Sequence, residues 1–94
     1  MNILIVGGDR LDNIKDNLDK YGINKVNHIT GRKKGDKKIE IPKNTDLVLV
    51  LTDFVGHNMT KIIKKQSKKN HTLVMFSKRS WICIQANIKN ILTD

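Results

Sequence analysis

Cysteine is almost missing from this chain of 94 residues. Its one thiol, Cys83, has no partner for an internal disulfide, which excludes a disulfide-stapled secreted fold and fits a reducing compartment. Long hydrophobic runs are missing as well. No segment approaches the ~18 apolar residues of a membrane span, and Met1 leads into a strand-like run rather than the basic-then-apolar layout of a signal peptide. A cytoplasmic chain with no membrane partner is expected. Aromatic residues are few: Tyr21, Phe54, Phe76 and Trp81. Surfaces that read RNA bases stack them on exposed rings, so base-specific recognition is not expected.

Acids are scarce beside bases, 9 against 18, and the net charge is +9. The excess is uneven. Residues 1–30 balance Arg10, Lys15, Lys20 and Lys25 against Asp9, Asp12, Asp16 and Asp19. Residues 31–45 carry six bases and two acids, and residues 61–70 carry five lysines and no acid. Such patches favour anionic partners, including weak, salt-sensitive, non-specific adhesion to nucleic acid.

What the chain does contain is an alternation. "NILIV", "NKVNHIT", "DLVLVLT" and "TLVMFS" read as strands, the first and third as fully buried ones. Between and after them come helical patterns. Leu11, Ile14, Leu18 and Tyr21 form one apolar stripe, closed by Gly22. Met59, Ile62 and Ile63 form a second, in a helix whose lysines face water. Trp81, Ile84, Ile88 and Ile91 form a third, capped by Ser80. A basic connector with the only proline, Pro42, separates the second strand from the third. Strands alternating with amphipathic helices predict one α/β domain over residues 1–94. The expected form is a small Rossmann-like or flavodoxin-like three-layer sandwich whose four-stranded parallel sheet has the order 2-1-3-4. A chain this short buries little more than ~60% of its unfolded surface, so a homodimer is expected to help it, with Tyr21, Phe54 and Trp81 at the contact.

In such sheets ligands bind beyond the carboxyl ends of the strands, where the strand order reverses. All four strands exit into polar residues: Gly7, Gly8, Asp9 and Arg10; His28, Thr30, Arg32 and Lys33; Thr52 and Asp53, with His57 and Asn58 close behind; Ser77, Lys78, Arg79 and Ser80. Glycines, acids, histidines and arginines on one edge are the vocabulary of a ligand site. The candidate binding residues are therefore Asp9, Arg10, His28, Arg32, Asp53, His57, Asn58 and Arg79. His71 enters the fourth strand from the opposite edge and reads as a surface residue.

Several chemistries lack their motif. Neither Gly7 nor Gly8 starts a Gly-x-Gly-x-x-Gly dinucleotide fingerprint, because aspartate, arginine or asparagine occupies the later glycine positions. Gly7 and Gly8 then serve a tight turn, with Asp9 as a candidate cap of the first helix. No Gly-x-Ser-x-Gly elbow accompanies Ser77 or Ser80, so a triad with His57 and Asp53 or Asp9 is not expected, nor is an enzyme. Cys-x-x-Cys and His-Glu-x-x-His are absent, which disfavours structural zinc. His28 and His57 leave strands that flank the first, starting roughly 10 Å apart, a gap two imidazoles could bridge to one metal. Haem asks for less: one or two axial ligands, apolar walls and cations for its propionates. His28 or His57, Met59 or Cys83, Phe54 or Trp81, and Arg32 or Arg79 are candidates for those parts.

The blocks "ILIVGGDR", "HITGRKK", "LVLVLTDFVGHN" and "FSKRSW" resemble, in this order, a bacterial family known as domain of unknown function 2325. The resemblance covers nearly the whole chain. It implies a small cytoplasmic α/β domain, brings no established catalytic activity, and implies haem binding by some members. It does not single out an axial ligand. The leading expectation is a non-enzymatic ligand-binding or sensor domain, with haem as the first candidate. The alternatives are a binder of a small anion, such as a nucleotide or phosphorylated metabolite, and a basic adaptor for RNA or an acidic protein.

Overall fold

The computed structural model describes residues 1–8, 10–23, 25–29 and 41–92, the last stretch by backbone alone at 54, 91 and 92. Its strands are β1 (Asn2–Val6), β2 (Lys25–Ile29), β3 (Leu47–Leu51) and β4 (Leu73–Ser77). Its helices are α1 (Asp12–Lys20), α2 (His57–Asn70) and α3 (Trp81–Leu92), and a single 3-10 turn, Thr52–Phe54, follows β3. The four strands form one parallel sheet in the order β2-β1-β3-β4. The Rossmann-like order expected from the alternation is the one observed.

Position in the sheet follows apolar content. β3 is "LVLVL", and all its side chains are 0% exposed. Ile3 to Val6 of β1 are buried as completely. Only a strand covered by helices on both faces can bury every residue, so these two take the centre. β2 and β4 mix exposed and covered positions and form the edges.

Period-two alternation then sorts the core into two halves. On one face Ile3, Ile5, Leu47, Leu49, Leu51 and Met75 meet Ile14 and Leu18 of α1 and Ile84 and Ile88 of α3. On the other, Leu4, Val6, Val48 and Val50 meet Ile63 of α2 and Ile41 from the connector. Crossovers from β1 to β2 and from β3 to β4 run outward in opposite directions. With one handedness, they place α1 and α2 on opposite faces.

Two helical stripes depart from the expected ones. In α2 the inward positions are Ile63 and Ser67, one turn apart; Met59 and Ile62 are only half-buried. Ser67 displaces an apolar residue because four residues bring it back over Ile63, and its buried hydroxyl has no hydrogen-bond partner among the described residues. In α1, Tyr21 lies past the helix and is 41% exposed, its ring tilted against Trp81 at 6.0 Å between centroids. The Gln85 amide donates to its hydroxyl at 2.9 Å. These two rings, expected at a dimer contact, pack on each other.

Gly22 ends α1 as expected. At φ +81° its N–H donates to the Asp19 carbonyl and the Ile23 N–H to the Leu18 carbonyl, the paired bonds of a Schellman motif. α2 closes the same way with His71, an exposed side chain held at φ 56°. Asp9 lies outside the described residues. The N-cap of α1 is Leu11, so the cap expected from Asp9 is not at that position.

Among the described residues, Gly7 is the tightest glycine. It sits at φ +104°, and a methyl group there would come within 2.8 Å of Val55 Cγ2 and 3.1 Å of the Leu51 carbonyl. Gly22 has the same sign of φ but open space around it. Gly7→Ala is therefore expected to destabilise the fold by about 3 kcal/mol, strain plus overpacking, and Gly22→Ala by about 1 kcal/mol, strain alone. Urea denaturation of both variants checks the difference; equal costs would contradict it.

Candidate functional site at the carboxyl edge of the sheet

The strand order reverses between β1 and β3. Their following helices go to opposite faces. A crevice at this point is the usual ligand position of open parallel sheets.

Each rim is built by a simple local device. On the β1 side the Gly7 N–H donates to the Ile29 carbonyl at 2.8 Å and completes the ladder with β2. The chain then turns through Gly7 and Gly8, both at positive φ, which residues with a Cβ adopt only at a cost. On the β3 side the Thr52–Phe54 turn holds Asp53 at the surface. From β4 comes Arg79. Its N–H donates to Asp53 Oδ2 at 3.2 Å, and its guanidinium Nη2 donates to the Arg10 carbonyl. Its Nε lies 3.7 Å from where a side chain on Gly8 would begin. One half-buried arginine thus ties together the tips of β1, β3 and β4.

The helix starts add to this edge. α1 begins after Leu11 and α2 after Gly56, and neither cap residue offers a side-chain hydrogen bond to the first turn. The first turn of α2 also holds no acid, whereas that of α1 holds Asp12. Uncapped N–H groups and the positive end of the helix dipole favour an anion.

Of the candidates, Arg10, Asp53 and Arg79 are brought together. His28 and His57 are not. His28 shares its face with Val26, on the side of α1 and α3, and its Nε2 lies 3.0 Å from the Gly7 carbonyl, where it donates. His57 is the exposed first residue of α2, on the other face, with Asn58 exposed beside it. The bridging of one metal by both imidazoles has no support in this arrangement. Among the described residues, no group of three or more His, Cys, Asp or Glu side chains could hold a metal ion. Asp9, Arg32 and Lys33 lie outside the described residues. The Ser77 hydroxyl donates to the Lys78 carbonyl at 3.0 Å, and the Thr52 hydroxyl donates to the Ser77 carbonyl at 3.3 Å. Both serve the loop that carries Arg79.

Two features escaped the sequence reading. Gly56, as an uncapped helix start, has no local signal, because its role depends on what α2 faces. The Arg79–Arg10 bond spans 69 residues, a separation at which no pattern in the chain announces a contact. A further depression, about 570 Å³ and lined by Ile41, Pro42, Lys43, Gln66, Lys69 and Asn70, opens at the opposite edge of the sheet and holds none of the candidates.

A family model described as "Uncharacterized protein conserved in bacteria (DUF2325)" matches residues 2–91. The chain belongs to this family. The match takes in all four strands and all but the last residue of α3, so the tips of β1, β3 and β4 fall within the family's domain. No curated protein and no solved structure matches the chain.

Arg79→Ala should release the β1 tip without unfolding the core. The expected loss is about 1 kcal/mol, for one charged hydrogen bond at a half-buried site. Amide exchange should quicken at Gly8 and Arg10 and stay unchanged at Leu47–Leu51. Unaltered exchange at the tip would show that Arg79 holds nothing there.

Proposed function

We propose that the domain binds a small anionic ligand, a nucleotide or phosphorylated metabolite, without transforming it, at the edge formed by the β1 and β3 tips. The observation that carries this reading is the Arg79 guanidinium held at the point where strand order reverses. Its Nη2 donates to the Arg10 carbonyl, and α1 and α2 both start without a side-chain cap. A guanidinium bonded to one carbonyl has donors left over, in a fork that suits phosphate or carboxylate. Asp53 would oppose an anion, but its carboxylate accepts the Arg79 N–H, which offsets part of its charge. The reading needs one chain only, since the rims come from β1, β3 and β4 of one sheet. The single, half-buried free thiol and the absence, among the described residues, of a helix long and apolar enough to cross a membrane support a cytoplasmic setting.

Haem is the second reading, and His57 favours it as an exposed imidazole at the rim. The fit is poorer. His28 Nε2 is engaged by Gly7, and the apolar residues near His57, Val55 and Met59, are packed on the core below α2.

Thermal unfolding against a panel of nucleotides and sugar phosphates tests the first reading. A ligand at a hundred times its dissociation constant should add about 2.7 kcal/mol of stability. Its affinity should fall at least tenfold in Arg79→Ala and in Arg10→Ala. A panel without a hit, or a hit indifferent to both substitutions, removes the anion. Haemin titration discriminates the second reading: a sharp Soret band that survives His28→Ala and is lost in His57→Ala would put haem first, and a spectrum equal to free haemin would discard it.

A further inference from the structure

The two edges of the sheet are unlike. β2 carries Lys25 and Asn27 as exposed residues, the kind of polar guard that keeps an edge strand from pairing with other chains. β4 has no such guard. Its sequence, "LVMFS", contains no charge and no proline, its register with β3 runs unbroken from Leu73 to Ser77, and no described residue pairs with its outer side. Leu73 is 58% exposed and Phe76 36%.

The electrostatic setting of this edge is one-sided. Residues 54–93 include no Asp or Glu. Gln66 of α2 accepts the Ile41 N–H at 2.9 Å, which turns that flank of the helix toward the connector. The opposite flank overhangs β4: Lys64 Nζ stands 5.2 Å from the centroid of Phe76. Lys61 and Lys68, three residues before and four after, follow Lys64 along the same flank, and all three are exposed. The rise from Lys64 to Lys68 is about 6 Å. The repeat between same-face residues of a strand is about 6.6 Å, so a strand added beside β4 would meet these lysines nearly in step.

We propose that the β4 edge and the Lys61–Lys64–Lys68 flank form a docking surface for an extended, acidic-apolar alternating segment of a partner protein, added to the sheet as a fifth strand. Its glutamates lie on the α2 side, where their carboxylates meet the lysines and their stems cover Phe76. Its apolar residues lie on the α3 side beside Leu73. Backbone hydrogen bonds give affinity, and the alternation gives register. A second copy of this chain fits poorly. Pairing β4 with its twin about a two-fold axis normal to the sheet keeps both α2 helices on one side and sets lysine flank against lysine flank.

Fluorescence anisotropy of a labelled peptide that alternates glutamate and valine, titrated with the full chain, tests this. Binding should saturate, weaken with salt, and fall at least tenfold in the double variant Lys64→Glu/Lys68→Glu, in Leu73→Lys, and for a peptide whose backbone is N-methylated at alternate residues. The substituted positions are exposed, and circular dichroism verifies the fold. No binding at millimolar peptide overturns the proposal. Equal affinity for the N-methylated peptide, or for one with the same residues in two blocks, also overturns it, because attraction would then be ionic without strand pairing. Displacement of the peptide by tenfold less single-stranded RNA would assign the surface to nucleic acid. A dimer in light scattering that dissociates in Leu73→Lys would assign it to a second copy.

Discussion

Two-sided burial of β1 and β3 is the constraint on which the structure depends. Each is an apolar run with no residue to offer to water, so each must be covered above and below. The sheet places them side by side at its centre, and α1 with α3 on one face and α2 on the other complete the cover. Fully burying a leucine, isoleucine or valine is worth about 1.5–3 kcal/mol, so the central pair supplies a large part of the favourable term in so small a domain. The polar edges are free to vary because the centre does not rely on them.

The polar edge at the β1 and β3 tips follows from the same constraint. With β1 and β3 together at the centre, the chain leaves them toward opposite faces. Long-range ties then join the tips. Gly7 and Gly8 bend the β1 tip, and Arg79 arrives from the far side of β3 to bond Arg10 and Asp53. Loops held in place by such ties lower the cost of ordering whatever they meet.

Charge follows a different logic from packing. The acids Asp12, Asp16 and Asp19 ride on α1, while α2 carries lysines alone. Neither set touches the core, so the fold would tolerate other patterns. The polarity of the molecule, basic over β4 and mixed over α1, therefore bears on encounter with partners rather than on stability. His71 in the left-handed region and the Ser67 hydroxyl, without a partner among the described residues, are small local costs that the core absorbs.

The sequence by itself determined the elements and their order. "NILIV" and "LVLVL" could only be central strands, Gly22 could end a helix, and alternation with right-handed crossovers left little but 2-1-3-4. These are local or nearest-neighbour rules, and a single sequence carries them. It also collected the polar residues at one edge, since strand exits in a parallel sheet all point the same way. Tertiary structure decided how those residues combine. Two histidines from the exits that flank β1 went to opposite faces, because one lies on a strand with α1-side parity and the other starts a helix on the α2 side. Arg79 and Arg10, 69 positions apart, met instead. Which face a side chain takes depends on register, and which loops touch depends on how helices pack. Both are set by the whole core, and no local pattern encodes them.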